Sequence, residues 1–353
     1  MKNVKLIYSK TRVDKAGELL KILDGKLNDL EIVSALDVLS NWRAYHASSL
    51  DSFAKVLKIR LKKICQLENY VVAQRLKRTS SILMKLQTHK TMRLSAMQDI
   101  GGLRAILENV DEVKKLVELY QNSKSAHRLF FLNDYISSPK IDGYRSVHLV
   151  YQLKKEPSLF IEIQIRSYLQ HIWATAVEVF GTLLNSSFKS GHGEKKWFEL
   201  FAYLSSVFAL KEGMPILNEH RSLSKVEIIE KLKKLISELK AIEQLNVYTA
   251  IYKISSNEMK VKGRSGNYSL IILDSDSNTI SVQSFSVNNF DEASRSYIEK
   301  EKKFYNNKNV NVVLVNTGDL KKLEASYPNY FMDTKVLVRY LSEIVLDRFF
   351  LKS

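Results

Sequence analysis

Between Phe160 and Ile165 the chain alternates without a break, with Phe160, Glu162 and Gln164 on one side and Ile161, Ile163 and Ile165 on the other. A period of two is that of a β-strand, whose successive side chains point to opposite faces of a sheet. Three isoleucines demand a packed face. A carboxylate in the middle of the opposite face is costly if that face is covered and no partner meets it. A metal ion or a reacting hydroxyl would relieve that cost. This one strand therefore constrains the fold to a sheet with an apolar side and a side available for chemistry.

The neighbouring segments extend the same reading. Gly101-Gly-Leu-Arg-Ala-Ile-Leu turns a loop into a short apolar strand, Phe130 to Ile136 is extended, and Arg145 to Leu153 alternates. Helices are predicted from Asp111, as N-cap, to Tyr120 and from Tyr168 to Leu184. Upstream, Leu50, Phe53, Ala54, Leu57, Leu61 and Ile64 step by three and four with Lys and Arg between them, a basic amphipathic helix. Val71 to Leu86 is read as a continuing helix. Downstream, Trp197 to Leu210 is an apolar helix. Ser224 to Leu245 reads as one long helix with Val226, Ile229, Leu232, Ile236, Leu239 and Ile242 on one face. Strands are expected at 248–255, 268–273, 279–285 and 310–315. Helices are expected at 291–305 (Asp291 as N-cap), 319–325 and 334–349. The fold class is α+β: a mixed sheet flanked by helices, with a smaller α+β domain at the C-terminal end. The segments are 1–72 (helical), 73–210 (the chemical domain), 211–245 (a connector) and 246–353 (a second domain).

Charge narrows the partners. The formal net charge is +16, and between Asn41 and Arg104 there are 13 Lys/Arg against 3 Asp/Glu. Such a surplus favours anionic partners such as nucleotides or RNA. The single cysteine, Cys65, allows no intrachain disulfide and no cysteine-rich zinc site, and reads as a buried structural thiol. The N-terminal MKNVKLIYSK lacks the apolar core of a signal peptide, and no stretch of about 18 apolar residues suggests a membrane span. A soluble cytoplasmic protein is the expectation.

Four clusters carry the chemistry. In the predicted helix, Lys77, Ser81 and Lys85 recur every fourth residue behind Arg75, a row of cations and a hydroxyl suited to a triphosphate. Asp99 precedes two glycines and Arg104, a carboxylate at the mouth of a strand where a hard cation can be held by one or two carboxylates and substrate phosphates. Ser138-Pro-Lys140-x-Asp142-Gly143-Tyr144-Arg145-Ser146-x-His148 combines a turn with cations and a ring on which a base can stack. Glu162, Gln164 and Arg166 share one face of the last strand. Each cluster alone also fits a solvated face or an ordinary turn.

Taken together in this order, over about 110 residues, these clusters and the stretch His171 to Glu178 resemble the nucleotidyltransferase-like synthetase domain of the RelA/SpoT homologue superfamily. The usual Thr after Gln-Ile-Arg is Ser167 here, which keeps the hydroxyl. The resemblance implies a pyrophosphokinase, in which a ribose 3′-hydroxyl attacks the β-phosphorus of ATP and AMP leaves. It implies Arg75, Lys77, Ser81, Lys85 and Arg104 as ATP-binding residues. It makes Asp99 and Glu162 the Mg²⁺ ligands, with Glu162 also the candidate to take the hydroxyl proton. Lys140, Tyr144, Arg145, His148, Gln164 and Arg166 line the acceptor side, with Tyr144 stacking on the base. No His-Asp dipeptide occurs among the seven histidines, which argues against the metal-dependent hydrolase domain of the long members.

Two acceptors follow from the superfamily. Alarmone synthetases act on GDP, GTP or adenosine nucleotides, giving (p)ppGpp or (p)ppApp; a toxic branch modifies the terminal adenosine of tRNA and blocks translation. The charge excess before the core points to tRNA. The whole layout resembles fused toxin–antitoxin members of the CapRel type, in which a C-terminal pseudo-zinc-finger domain bears a Tyr-x-x-Tyr motif, here Tyr327 and Tyr330, that covers the ATP site. That resemblance implies autoinhibition relieved by a phage capsid component or another phage protein. A catalytically inactive RNA-binding regulatory module is the contrasting expectation, opposed by the intact carboxylates and cations.

Overall fold

The computed structural model describes residues 6–22, 29–65, 70–77, 79–154, 157–184, 193–247, 249, 268–274, 279–286, 289–304, 310–316 and 330–351. They form two compact units. The first comprises residues 1–140 and 145–171; the second comprises 141–144 and 172–353. This partition is drawn by packing and differs from the four segments read from the sequence.

The first unit opens with α1 (Lys10–Lys21) and the long α2 (Asp29–Ile64). There follow β1 (Val71–Leu76), α3 (Thr79–Thr88), β2 (Gly101–Leu107), α4 (Val110–Gln121), β3 (Arg128–Asp134), β4 (Val147–Gln152) and β5 (Phe160–Ser167). The strands make one mixed sheet in the order β1-β2-β5-β4-β3. β5 runs parallel to β2 and antiparallel to β4. Parallel pairing of β2 and β5 requires a long crossover, which α4, β3 and β4 supply.

Register sorts the two faces. Leu103, Ala105 and Leu107 of β2, Ile161, Ile163 and Ile165 of β5 and Val147, Leu149 and Tyr151 of β4 align across the sheet, and all are buried. These nine side chains are the core expected from the isoleucine alternation. α2 closes against this side so tightly that a Cβ on Gly101 would lie 2.9 Å from Ile161 Cδ1 and 3.3 Å from His46 Cβ. Position 101 therefore takes no side chain at its present spacing.

Val71 to Leu86, read as one helix, is a strand followed by a helix. Residues 71–76 pair antiparallel with β2 along its whole length, from Val71 opposite Ile106 to Leu76 opposite Gly101. The ladder bonds offered by β2 override the helical spacing of a short segment that starts with two β-branched valines. α4 is capped by Asn109, whose side chain accepts from the Glu112 N–H, and Asp111 lies inside its first turn.

Among the described residues the second unit holds α5 (Tyr168–Leu183, whose first four residues belong to the first unit), α6 (Lys195–Lys211) and α7 (Lys225–Glu238). It also holds β6 (Tyr268–Asp274), β7 (Thr279–Phe285), α8 (Phe290–Phe304), β8 (Val310–Asn316) and α9 (Tyr330–Val345). The long helix expected from 224 to 245 stops early: Ser224 and Glu227 form a capping box at its start, and Lys240 has φ 47° just past its end. Its buried face is Ile228, Leu232, Leu235 and Ile236, and Val226 is exposed. β7, β6 and β8 form an antiparallel sheet, with Ala293 and Tyr297 of α8 packed against Leu270, Phe285 and Val312. Asp291 is within α8 rather than its cap. The strand expected at 248–255 falls almost wholly, and the helix at 319–325 entirely, outside the described residues. Cys65 is buried, and burial with the nearby Glu112 pushes its thiol up to about 11, as befits an unreactive structural position. No described helix is long and apolar enough to cross a membrane.

Candidate active site

The sheet face opposite the isoleucines carries the polar residues in two rows. In one, Arg75 of β1 lies opposite Gly102 of β2, which lies opposite Glu162 of β5. In the next, Arg104 of β2, Gln164 of β5, His148 of β4 and Asn133 of β3 are aligned. Gly102 leaves a gap in the first row: the nearest atom to a Cβ built there, leaving aside its chain neighbours, is the Glu162 carbonyl oxygen at 3.8 Å. The space between Arg75 and Glu162 is thus open above the strand.

Both carboxylates are held on both oxygens. Lys77 Nζ donates to Asp99 Oδ2 at 2.8 Å and Lys85 Nζ to Oδ1 at 3.0 Å. His148 Nδ1 lies 2.9 Å from Glu162 Oε1, and Gln164 Nε2 donates to Oε2 at 2.8 Å. Gln164 in turn accepts from Arg104 Nη2 at 3.4 Å, so its amide links the arginine to the glutamate. Asp99 side-chain exposure is 21% and that of Glu162 is 13%. Burial raises the pKa of each carboxyl. For Asp99, Lys77 and then Lys85 outweigh it and hold the group below the ordinary carboxylate range. For Glu162 burial is outweighed chiefly by the His148 bond and charge, helped by Gln164, against an opposing push from Asp99. That push places the two carboxylates within electrostatic reach of each other.

The expected cations divide by element. Arg75 is exposed on β1, Lys77 follows the end of that strand, and Ser81 and Lys85 sit one turn apart on α3. The row of four is therefore assembled by a strand–turn–helix, and not by one helix. Lys77 is anchored through its backbone, its N–H donating to the Ile100 carbonyl at 2.8 Å. Arg104 Nε is buried with no partner among the described residues, a donor left for an anion.

The acceptor-side residues are less uniform. His148 joins Glu162 directly. Lys140 is exposed, with Nζ 4.6 Å from the Tyr135 ring centroid, and that ring meets His148 edge-on. Tyr135 was not singled out in the sequence, where it precedes both residues and nothing marks its ring as their contact. Arg145 is 3% exposed and donates from Nη1 to the Ile136 carbonyl at 3.1 Å, bracing the loop. Arg166 is buried and its guanidinium donates to His171 Nδ1. Tyr144 belongs to the second unit, where its ring packs against Trp173. Gly143 before it has φ 92°, and its carbonyl accepts from Ser205 Oγ at 2.7 Å. Tyr327 lies outside the described residues; Tyr330 is the first residue of α9.

Two carboxylates in mutual electrostatic reach, with spare lone pairs on oxygens already bonded, suit Mg²⁺, which takes one or two carboxylates and completes its shell with phosphate and water. Among the described residues no group of three His, Cys, Asp or Glu forms a closed metal cage. The open gap at Gly102 and the unused Arg104 donor fit a polyanion beside the carboxylates.

Residues 74–179 match the family described as the region found in RelA / SpoT proteins. The chain is 35% identical over 134 residues to GTP pyrophosphokinase YjbM of Bacillus subtilis (strain 168), covering 34% of this chain and 63% of that protein. It is 30% identical over 112 residues to GTP pyrophosphokinase YwaC of the same organism, covering 29% and 52%. Thus the chain spans somewhat under two thirds of the former and about half of the latter. The crystal structure of small alarmone synthetase 2 from B. subtilis superposes with a TM-score of 0.43 at 21% identity, covering 50% of this chain and 94% of that one. Residues 74–179 are thus similar to the region shared by RelA and SpoT proteins, and part of the chain is similar to two pyrophosphokinases of B. subtilis.

Proposed function

We propose that the chain is an ATP-dependent pyrophosphokinase acting on a ribose 3′-hydroxyl. The observation that carries the reading is a pair of charged carboxylates in electrostatic reach of each other, Glu162 on the polar sheet face and Asp99 in the turn before β2, flanked by Lys77, Lys85, His148 and, through Gln164, Arg104. The hydroxyl oxygen bonds to the β-phosphorus of ATP. The bond from that phosphorus to the oxygen bridging the α-phosphate breaks, and AMP leaves with that oxygen. Phosphoryl-type transfer asks mainly for alignment and charge neutralisation. Lys77 and Lys85 provide cations at the triphosphate, Arg75 and Arg104 border the open gap, and Ser81 adds a hydroxyl from α3. Mg²⁺, held by Asp99 and Glu162, would neutralise charge developing on the phosphates. The lowered pKa keeps Glu162 ionised, which suits a ligand and weakens it as a proton acceptor. His148, bonded to Glu162 Oε1, is the neighbouring group placed to relay the hydroxyl proton.

For the acceptor we propose the terminal adenosine of tRNA, with toxicity through blocked translation. The support is the basic run from Asn41 to Arg104 and the exposed Lys55, Lys58, Lys62 and Lys63 on α2. A guanosine nucleotide is the second reading, favoured by the named activity of the two B. subtilis relatives. The C-terminal part, read as a pseudo-zinc-finger, is proposed to restrain the enzyme through Tyr327 and Tyr330 until a phage protein binds it. Expression of the Tyr327→Ala/Tyr330→Ala variant tests this: growth arrest without infection supports restraint, and normal growth with active protein present contradicts it. Incubation of the purified chain with β-labelled ATP and either deacylated tRNA or GTP tests the acceptor. Label on tRNA supports the first reading, label on GTP alone the second, and label on neither a binding module.

A further inference from the structure

The helix that supports the sheet also reaches into the site. Arg43 lies on α2, 34 residues before Lys77 and outside the segment 74–179 that matches the synthetase family. Its Nε donates to the Lys77 carbonyl at 2.9 Å and its Nη1 to Thr79 Oγ1 at 3.2 Å. Thr79 is the first residue of α3, the helix that carries Ser81 and Lys85. One guanidinium therefore ties the end of β1 to the start of α3, on either side of the turn between them. The same helix, one turn on, places His46 against Gly101, two residues after Asp99. Asp99 and both of its lysine partners thus take their positions from α2. Burial weighs against the Arg43 charge and lowers its pKa. A half-buried cation whose bonds go to a carbonyl and a hydroxyl, and not to a carboxylate, is spent on holding backbone.

We propose that Arg43 is a positioning residue for the triphosphate: it sets the turn from which Lys77 and α3 present their cations, and ATP affinity depends on it. The inference rests on the ATP reading above. Loss of the guanidinium leaves the Lys77 backbone with its N–H bond to Ile100 and removes the link from that turn to the start of α3, and a displacement of about 1 Å at a charged site is enough to cost an order of magnitude or more.

The test is calorimetric titration of the full-length chain with α,β-methylene-ATP and Mg²⁺, together with the KM for the acceptor found in the labelling experiment. Arg43→Ala is expected to weaken analogue binding about 10-fold or more while acceptor KM stays within about twofold. Arg43→Lys, which keeps the charge but not the fork, should fall between it and wild type. Thr79→Val, which removes one of the two acceptors with little change of shape, should weaken binding about threefold, and it carries the test if Arg43→Ala does not fold. Unchanged analogue affinity in folded Arg43→Ala, or in Thr79→Val should the former be unfolded, overturns the inference while leaving the enzyme reading intact. An equal loss on the ATP and acceptor sides overturns it in favour of general support. A wild-type chain that does not bind the analogue overturns the ATP reading and this inference with it.

Discussion

Replacing Gly143 with alanine tests the loop before Tyr144 on its geometry alone. The residue has φ 92°, where an L side chain costs about 1–2 kcal/mol. The new Cβ would lie 2.9 Å from Ser205 Cβ and 3.1 Å from Trp173 Cζ2. Neither atom ends a flexible chain: Ser205 is fixed by its bond to the Gly143 carbonyl, and Trp173 by Nε1 donating to the Phe201 carbonyl at 2.8 Å. Crowding of this kind costs roughly 1–3 kcal/mol. Alanine also restricts the unfolded chain, which returns roughly 0.4–1 kcal/mol. The net destabilisation is about 1–4.6 kcal/mol. Urea unfolding followed by tryptophan fluorescence reads it, since Trp173 and Trp197 both lie in the second unit. A destabilisation below about 0.5 kcal/mol would show that the loop accepts a side chain, and would refute the claim that glycine is required there.

Other substitutions probe the chemical face. Gly102→Val fills the gap between Arg75 and Glu162 at a position where a Cβ meets little, so urea stability should change by less than about 1 kcal/mol while transfer falls about 100-fold or more. Near-normal activity would mean that the gap holds no substrate. Glu162→Gln keeps the shape but removes the charge and one of the two acceptor oxygens, and should lower transfer by about 10³-fold in a folded protein, as a labelled-ATP assay would read. The pH dependence of stability has a definite sign. Asp99 and Glu162 have folded pKa values below their unfolded ones, so the stabilisation they contribute is present above about pH 4 and is lost as pH falls through the lower folded values. Urea midpoints compared at about pH 5 and pH 3 should drop in wild type and drop less in Asp99→Asn.

Much of the sheet could be read from residues alone because alternation over six residues has one structural meaning. Phe160 to Ile165 gave the central strand and its two faces, and Glu162 and Gln164 lie side by side as that pattern requires. Local spacing misled at Val71 to Leu86, where the fourth-residue recurrence of Lys77, Ser81 and Lys85 matched a helix. The pairing partner that makes residues 71–76 a strand lies some 30 residues later, beyond any window of periodicity. The same distance hid the Asp99 ion pairs and the Arg43 clamp, since the backbone carbonyl that Arg43 meets carries no sequence signal. Ser205 was equally silent, a small polar residue in an apolar helix whose role exists only because Gly143 arrives against it. Arg145 and Arg166, two cations expected on the acceptor side, are buried against a carbonyl and a histidine, a distinction that side-chain type cannot make.

The most direct measurement of the central claim follows both halves of the ATP molecule. Purified chain is incubated with Mg²⁺ and ATP labelled at the β-phosphorus, with deacylated tRNA, GDP or GTP as acceptor, and the nucleotides are separated. Transfer of the labelled pyrophosphate to an acceptor ribose, with AMP released in equal amount and both lost in Glu162→Gln, is the predicted result. Release of ADP, or a label that never leaves ATP with any of these acceptors, would contradict it.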